Sequence, residues 1–180
     1  MAELVALRRT PVVAASNGMR ALQPAGRFIL RGNPVAISTA GAAVGISIEQ
    51  TPCRASQGGA RTALWLGPDE YLLLVPEAEA HALASVLEQA LKAEPHSLVD
   101  VSHRQTALEL AGPRATDILN SGCPLDLDLT AFAVGMCTRT VFVKAEIVLW
   151  RTAPEIFRLE VWRSFTDYVT RLLGEAAREY

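Results

Sequence analysis

Asp100, Ser102, His103, Arg104 and Gln105 crowd one short polar turn, in the run V-D-V-S-H-R-Q-T. Arginine can hold a carboxylate through two parallel hydrogen bonds. Histidine can give or take a proton near neutral pH. A turn between two strands is where such groups can converge on a ligand. The same residue types also serve a turn itself, because Ser and Asp side chains bond to neighbouring backbone groups. His and Arg are equally suited to a solvated surface or an interface. The sequence therefore offers Asp100, Ser102, His103 and Arg104 as candidate binding residues while leaving the structural reading open.

Other chemistry has weaker support. His81, His96 and His103 form no H-E-x-x-H pair, and Cys53, Cys123 and Cys137 lack metal-ligand spacing, so no metal site is expected. Gly41 and Gly45 bracket a small apolar run without the dinucleotide fingerprint or the Lys-Ser/Thr of a phosphate loop. The strand expected after Gly45 argues for close backbone packing, since phosphate cradles precede helices. No Gly-x-Ser-x-Gly elbow exists. Lys144-Ala145-Glu146 reads as a charged strand connection. Trp65, Trp150 and Trp162 all fall on expected strands, where core packing competes with interface anchoring. No catalytic residue is assigned.

The elements that must position the turn are marked by periodicity. Phe28-Ile29-Leu30 could start a strand that Arg31-Gly32-Asn33-Pro34 stops, and Val44–Ile48 alternates as a strand would. Residues 52–60 read as an exposed loop punctuated by Gly58-Gly59. Residues 61–66 and 71–75 are strands around the turn Gly67-Pro68-Asp69-Glu70. A helix over 77–93 carries the stripe Leu83, Val86, Leu87, Ala90 and Leu91. Strands follow at 98–101 and 106–111, then a short helix after Gly112-Pro113 that Ser121-Gly122 closes. Residues 123–137 form a connection containing Asp126 and Asp128. Three further strands are expected at 138–144, 146–151 and 156–162. A last helix is expected to open on a capping pair, Ser164 with Asp167, and to stop at Gly174. Its stripe is Phe165, Tyr168, Val169, Leu172 and Leu173. Helices returning between runs of strands indicate an α+β fold. An antiparallel or mixed sheet covered by helices, with ferredoxin-like split βαβ units, fits that order.

Leu64–Glu77 (LWLGPDEYLLLVPE) and Val99–Leu127 (VDVSHRQTALELAGPRATDILNSGCPLDL) resemble landmark segments of the gamma subunit of heterotetrameric sarcosine oxidase. That family is related to the folate-binding glycine-cleavage T-protein. The shared pattern is D-x-S-H, a strand, Gly, and a helix ending before Asp-Leu. Here those positions are Asp100, Ser102, His103, Gly112 and Asp126-Leu127. The likeness is good over about residues 61–175 and weak before. Where T-proteins carry a Gly-Gly-rich strand and acidic residues, this chain has RTVFVKAEIVLWR, without glycine. What resembles the family is thus the scaffold. Residues 1–60 read as an arm with weakly marked strands and 61–180 as the T-protein-like region, the whole expected to form one compact domain.

The resemblance implies an accessory subunit without a cofactor of its own, docking chiefly on an alpha subunit beside beta and delta subunits. Those partners would hold FAD, FMN, NAD and tetrahydrofolate. The complex would demethylate sarcosine oxidatively to glycine, yielding hydrogen peroxide and either formaldehyde or methylene-tetrahydrofolate. A folate-binding, aminomethyl-transfer-like module is the alternative suggested by the D-x-S-H turn. A folate-dependent assembly factor for iron–sulfur proteins fits less well, because the context of Cys137 (GMCTRT) does not match the cysteine motif of that type.

Composition agrees with a globular subunit. Of 180 residues, 50% are hydrophobic and 20% charged, and the 17 basic residues against 19 acidic ones are scattered, leaving no nucleic-acid footprint. No apolar run approaches the ~20 residues of a membrane span, and no signal peptide is expected. Three cysteines without close pairs argue against a disulfide framework and for a reducing compartment, hence the cytoplasm.

Overall fold

The computed structural model describes residues 18–180. In chain order its elements begin with β1 (Met19–Ala21), β2 (Ala25–Gly32), α1 (Pro34–Val44), β3 (Ala55–Gly58), β4 (Arg61–Gly67) and β5 (Glu70–Pro76). A 3-10 turn, Glu77–Glu79, leads into α2 (Ala80–Ala90), followed by β6 (His96–Asp100), β7 (Gln105–Ala111) and α3 (Ala115–Asn120). The last elements are β8 (Cys137–Phe142), β9 (Ala145–Ala153), β10 (Ile156–Trp162), a second 3-10 turn at Arg163–Phe165, and α4 (Thr166–Ala176). The strands form two five-stranded sheets, ordered β1-β7-β10-β9-β8 and β3-β4-β5-β2-β6. Pairing is antiparallel for β1–β7, β7–β10, β9–β10, β2–β5, β2–β6, β3–β4 and β4–β5. The α+β class read from the sequence is the observed class.

The residues divide into two compact units. One comprises Ala25–Ser102 and Gly135–Thr138. Its register places Phe28 opposite Leu73 and Leu30 opposite Tyr71, so one sheet face presents Phe28, Leu30, Tyr71, Leu73 and Val75 to the helices. Ile37, Ala40 and Val44 of α1 and Leu83, Leu87 and Leu91 of the α2 region complete that core. Burying each such large side chain stabilises the unit by roughly 1.5–3 kcal/mol. In β5 every residue from Tyr71 to Val75 is buried. That explains its continuous rather than alternating apolar run.

The other unit comprises residues 18–24, His103–Val134 and Arg139–Tyr180. In its sheet, Leu110, Phe157 and Arg151 lie side by side, as do Leu108, Leu159 and Leu149. The helix α4 touches β10 and α3, burying Val169 and Leu173, while α3 buries Ile118 and Leu119. Thr106 and Thr166 hydroxyls meet at 2.6 Å and tie β7 to the start of α4.

Several local expectations are corrected. Asn33-Pro34 begins a helix rather than merely ending a strand. The Asn33 side chain accepts a hydrogen bond from Ala36 N at 2.8 Å, and proline fills the first helical position. The segment read as a strand, Val44–Ile48, instead starts with the last residue of α1. Gly45 then closes the helix in a left-handed conformation, φ 70°. Close packing near Gly41 is observed: an added Cβ would lie 2.5 Å from the Ile46 carbonyl oxygen. Part of the loop 52–60 is the strand β3. Ser164 and Asp167 make no capping box, since α4 starts after Phe165 without a side-chain cap. Gly174 lies inside that helix. Val86 and Phe165, placed on apolar stripes, are exposed. Residues 1–17 of the expected arm lie outside the described residues.

These two glycines make a paired test. Gly41→Ala should lower stability by about 1–3 kcal/mol, because the new methyl meets a backbone oxygen that cannot swing aside. Gly174→Ala, which meets nothing within 4 Å, should raise it by about 0.5–1 kcal/mol through helix propensity. Urea unfolding of both variants gives the two signs directly.

Candidate functional site

The polar turn begins where β6 leaves β2. Val101 N donates to the Arg27 carbonyl at 2.8 Å, so the ladder runs one step past the last strand residue. At the next step the Ser102 side chain replaces a backbone acceptor: its Oγ receives Arg27 N at 2.9 Å. Ser102 N in turn donates to Asp100 Oδ1 at 2.8 Å, a turn closed by an aspartate side chain. Asp100 and Ser102 are thus engaged in finishing the sheet edge.

His103 and Arg104 belong to the other unit and are exposed. The Arg104 guanidinium lies over the Trp162 ring, 4.8 Å from its centroid, and its carbonyl accepts Arg163 N at 2.9 Å. Trp162 is 36% exposed, and Phe165, three residues on, is 41% exposed and packs edge-on against Tyr168. Gln105 is buried, and its Oε1 has no hydrogen-bond donor. Trp150 is also buried, whereas Trp65 is half-buried. The structure therefore joins Asp100 with Ser102, and Arg104 with Trp162, each pair within its own unit. Among the described residues no group of three or more His, Cys, Asp or Glu side chains is placed to hold a metal ion.

A residue that sequence reading passed over does more than any of these. Arg151, read only as the end of a strand, is 2% exposed. Its Nη1 donates to the carbonyls of Leu127 (2.9 Å) and Phe132 (2.8 Å). Its Nε and Nη2 both reach the Pro154 carbonyl, at 3.1 and 2.6 Å. The guanidinium also stacks on Phe157, 4.7 Å from the ring centroid. Burial depresses its proton affinity, and the charge of Asp128 opposes that effect. The connection holding the Asp126-Leu127 landmark is in this way tied to the β9–β10 hairpin. The landmark organises itself as well. Asp126 Oδ1 accepts Asp128 N at 2.9 Å, and Asp128 Oδ1 accepts both the hydroxyl (2.6 Å) and the N–H (2.8 Å) of Thr130. Those Thr130 bonds, with Arg151 adding to them, hold the Asp128 carboxyl below its ordinary range. No residue type announces Arg151 in the sequence; only the three-dimensional convergence of carbonyls identifies it.

With this geometry in hand, comparison with known proteins is decisive. Residues 32–179 match the profile of the sarcosine oxidase, gamma subunit family. This chain belongs to that family. The sarcosine oxidase subunit gamma of an Arthrobacter species is 32% identical, the match covering 99% of this chain and 94% of that protein. The subunit gamma of Corynebacterium sp. strain U-96 is 31% identical over 100% of this chain and 95% of its own length. A chain of the heterotetrameric sarcosine oxidase of Corynebacterium sp. U-96, solved with pyrrole 2-carboxylate, superposes with a TM-score of 0.87 at 30% identity, covering 96% of each chain. The aminomethyltransferase T of the glycine cleavage system from Bartonella henselae reaches a TM-score of 0.67 at 13% identity. It is matched over 89% of this chain and 46% of its own, a likeness of fold alone. In this gamma-family chain, then, the D-x-S-H and Asp-Leu landmarks are built largely into backbone hydrogen bonds.

Two measurements check this account. Arg151→Met keeps the apolar stem but leaves three backbone carbonyls without their donor, and should cost roughly 3–5 kcal/mol in urea unfolding. Arg151→Lys, lacking the planar fork, should fall between. The second concerns Cys137, whose thiol is pushed up from 9.0 to about 12 by burial, with the nearby Cys53 adding to the shift. Below about pH 9 both folded and unfolded chains hold that proton. Above it the unfolded chain releases the proton and the folded chain keeps it, so stability falls as pH rises between the two values, by at most about 1.4 kcal/mol per pH unit. Cys137→Ala should lose this part of the slope between about pH 8 and about pH 10.5, with the remaining titrations unchanged.

Proposed function

We propose that this chain is the accessory gamma subunit of a heterotetrameric sarcosine oxidase. The assembled complex would demethylate sarcosine oxidatively to glycine, releasing hydrogen peroxide and either formaldehyde or methylene-tetrahydrofolate. FAD, FMN, NAD and tetrahydrofolate belong in this reading to partner chains, with docking chiefly on the alpha subunit and with beta and delta completing the complex. The observation that carries it is the end-to-end superposition on a chain of the Corynebacterium heterotetramer.

The fate of the polar turn supports an accessory rather than a catalytic role. Asp100 and Ser102, residues that a folate-binding module would turn toward its ligand, are engaged by backbone N–H groups. Trp162, Phe165 and Arg104 are of the types that anchor protein interfaces, which fits a chain whose work is docking. No helix among the described residues is long and apolar enough to cross a membrane. Cys53, Cys123 and Cys137 are free thiols, in keeping with work in the cytoplasm.

Co-expression with the other three subunits, followed by affinity capture through this chain, should yield a stoichiometric complex that makes peroxide on addition of sarcosine. The chain purified alone should consume no oxygen with sarcosine. Turnover by the isolated chain would remove the accessory assignment, and failure to capture any partner would remove the complex.

A further inference from the structure

Cys53 and Cys137 stand opposite one another in a short antiparallel pairing. Arg54 and Met136 form an isolated antiparallel bridge. On one side Ala55 N donates to the Gly135 carbonyl at 2.9 Å. On the other Cys137 N donates to the Cys53 carbonyl, also at 2.9 Å. The pair shares one of the two bonds of a hydrogen-bonded antiparallel pair, and a full pair of that kind has Cα atoms about 5.5 Å apart, inside the roughly 4.4–6.8 Å window that a disulfide requires. Both cysteines and their flanking partners lie within one unit.

The two thiols differ in access. Cys53 is half-buried, whereas Cys137 is fully buried, its Sγ 3.7 Å from the Trp65 carbonyl. Cys53 also holds a left-handed backbone conformation, φ 58°, directly after Pro52. That conformation favours glycine or asparagine. A cysteine at a position better served by glycine directs attention to its side chain.

We infer that Cys53 and Cys137 form a peroxide-responsive dithiol pair, with Cys53 as the thiol that peroxide oxidises first and Cys137 as its resolving partner. In the first step the Cys53 sulfur attacks one oxygen of hydrogen peroxide. The O–O bond breaks, hydroxide leaves and takes up the thiol proton as water, and Cys53 becomes a sulfenic acid. In the second step the Cys137 sulfur attacks the Cys53 sulfur. The S–O bond breaks, and the departing hydroxyl leaves as water with the Cys137 proton. The sum is two thiols and one peroxide giving one disulfide and two waters, two electrons passing from sulfur to oxygen. Burial keeps Cys137 protonated, which slows its attack relative to that of an exposed thiol. Peroxide is the two-electron product of the oxidase proposed above, but the thiol chemistry stands apart from that assignment.

The test uses the full chain and added hydrogen peroxide. After brief exposure to a small molar excess, free thiols are alkylated under denaturing conditions and the digest is mapped by mass spectrometry. Wild type should yield a Cys53–Cys137 cross-linked peptide reversed by dithiothreitol, with Cys123 alkylated. Cys137→Ser should instead accumulate Cys53 sulfenic acid trapped by dimedone, then sulfinic acid. Cys53→Ser should leave Cys137 reduced. Recovery of wild-type Cys53 and Cys137 as free thiols would overturn the inference. So would a Cys53–Cys123 or intermolecular bridge as the main product, or Cys53 sulfinic acid forming as fast in wild type as in Cys137→Ser. Each of these results leaves the subunit assignment standing, since none depends on partner chains.

Discussion

A single buried cation organises one of the two units. Arg151 sits on β9 in a row with Leu110 and Phe157, where periodicity calls for an apolar residue. Its charge has been taken out of water, which is unfavourable unless every N–H finds an acceptor. The acceptors are supplied by backbone carbonyls of Leu127, Phe132 and Pro154. Irregular segments carry such carbonyls because no ladder uses them. The residue therefore solves two problems at once. It neutralises the polar cost of a long connection lying against the sheet, and it fixes that connection in one conformation. Phe157 beneath the guanidinium supplies a π-face that a lysine could not exploit as well.

The same logic extends to the landmark residues. Asp126 and Asp128 close successive side-chain-to-backbone turns, and the second presents the carbonyl that receives Ala131 N (3.1 Å) and Phe132 N (2.7 Å). Leu127 between them is fully buried. Asp100 and Ser102 play the equivalent part at the end of β6, where Ser102 Oγ stands in for a missing strand acceptor. Polar residues that look like a site in one dimension can thus be the means by which a chain leaves a sheet without stranding N–H groups. A scaffold built this way resembles an aminomethyltransferase in fold, and here Asp100, Ser102, Asp126 and Asp128 bond to backbone groups of their own chain.

How much of this was legible in the sequence depended on the strength of local signals. Strands read at 61–66, 106–111 and 156–162 stood out because alternation or a long apolar run was bounded by Gly-Pro turns or, at 156, by Ala-Pro-Glu. The α1 helix was missed for a physical reason. Its sequence, PVAISTAGAAV, is small and apolar almost throughout, so no polar face reveals the helical period. Yet Ala36, Ile37, Ala40, Gly41 and Val44, the buried set, do follow that period, and Asn33-Pro34 is a helix start. β3 was missed because A-S-Q-G carries no strand propensity. It is a strand because β4 beside it offers a free edge. The capping pair Ser164/Asp167 failed through displacement: the chain first makes a 3-10 turn, which carries Ser164 past the position where it could cap. The D-x-S-H residues were found, but their division between backbone support and an exposed aromatic corner was invisible in one dimension.

Two non-glycine residues adopt left-handed backbone conformations among those described, Cys53 and Val143. They are not equivalent. Val143, φ 55°, belongs to the two-residue connection between β8 and β9, where a positive φ matches the right-handed twist of the flanking strands. Its N–H also donates to the Gly122 carbonyl at 2.7 Å, and Gly122 is bare because an added Cβ would meet Val143 and Phe142 side chains at 2.8 Å. The hairpin and its neighbour together account for that conformation, whatever side chain occupies the tip. Cys53 sits in no such hairpin. Its carbonyl is held by Cys137 N, which places the backbone but sets no demand on the side chain. A turn over Pro52 and Cys53, proline first and a positive φ second, sets that conformation, and the pairing beside it places Cys53 opposite Cys137, whose thiol burial keeps protonated.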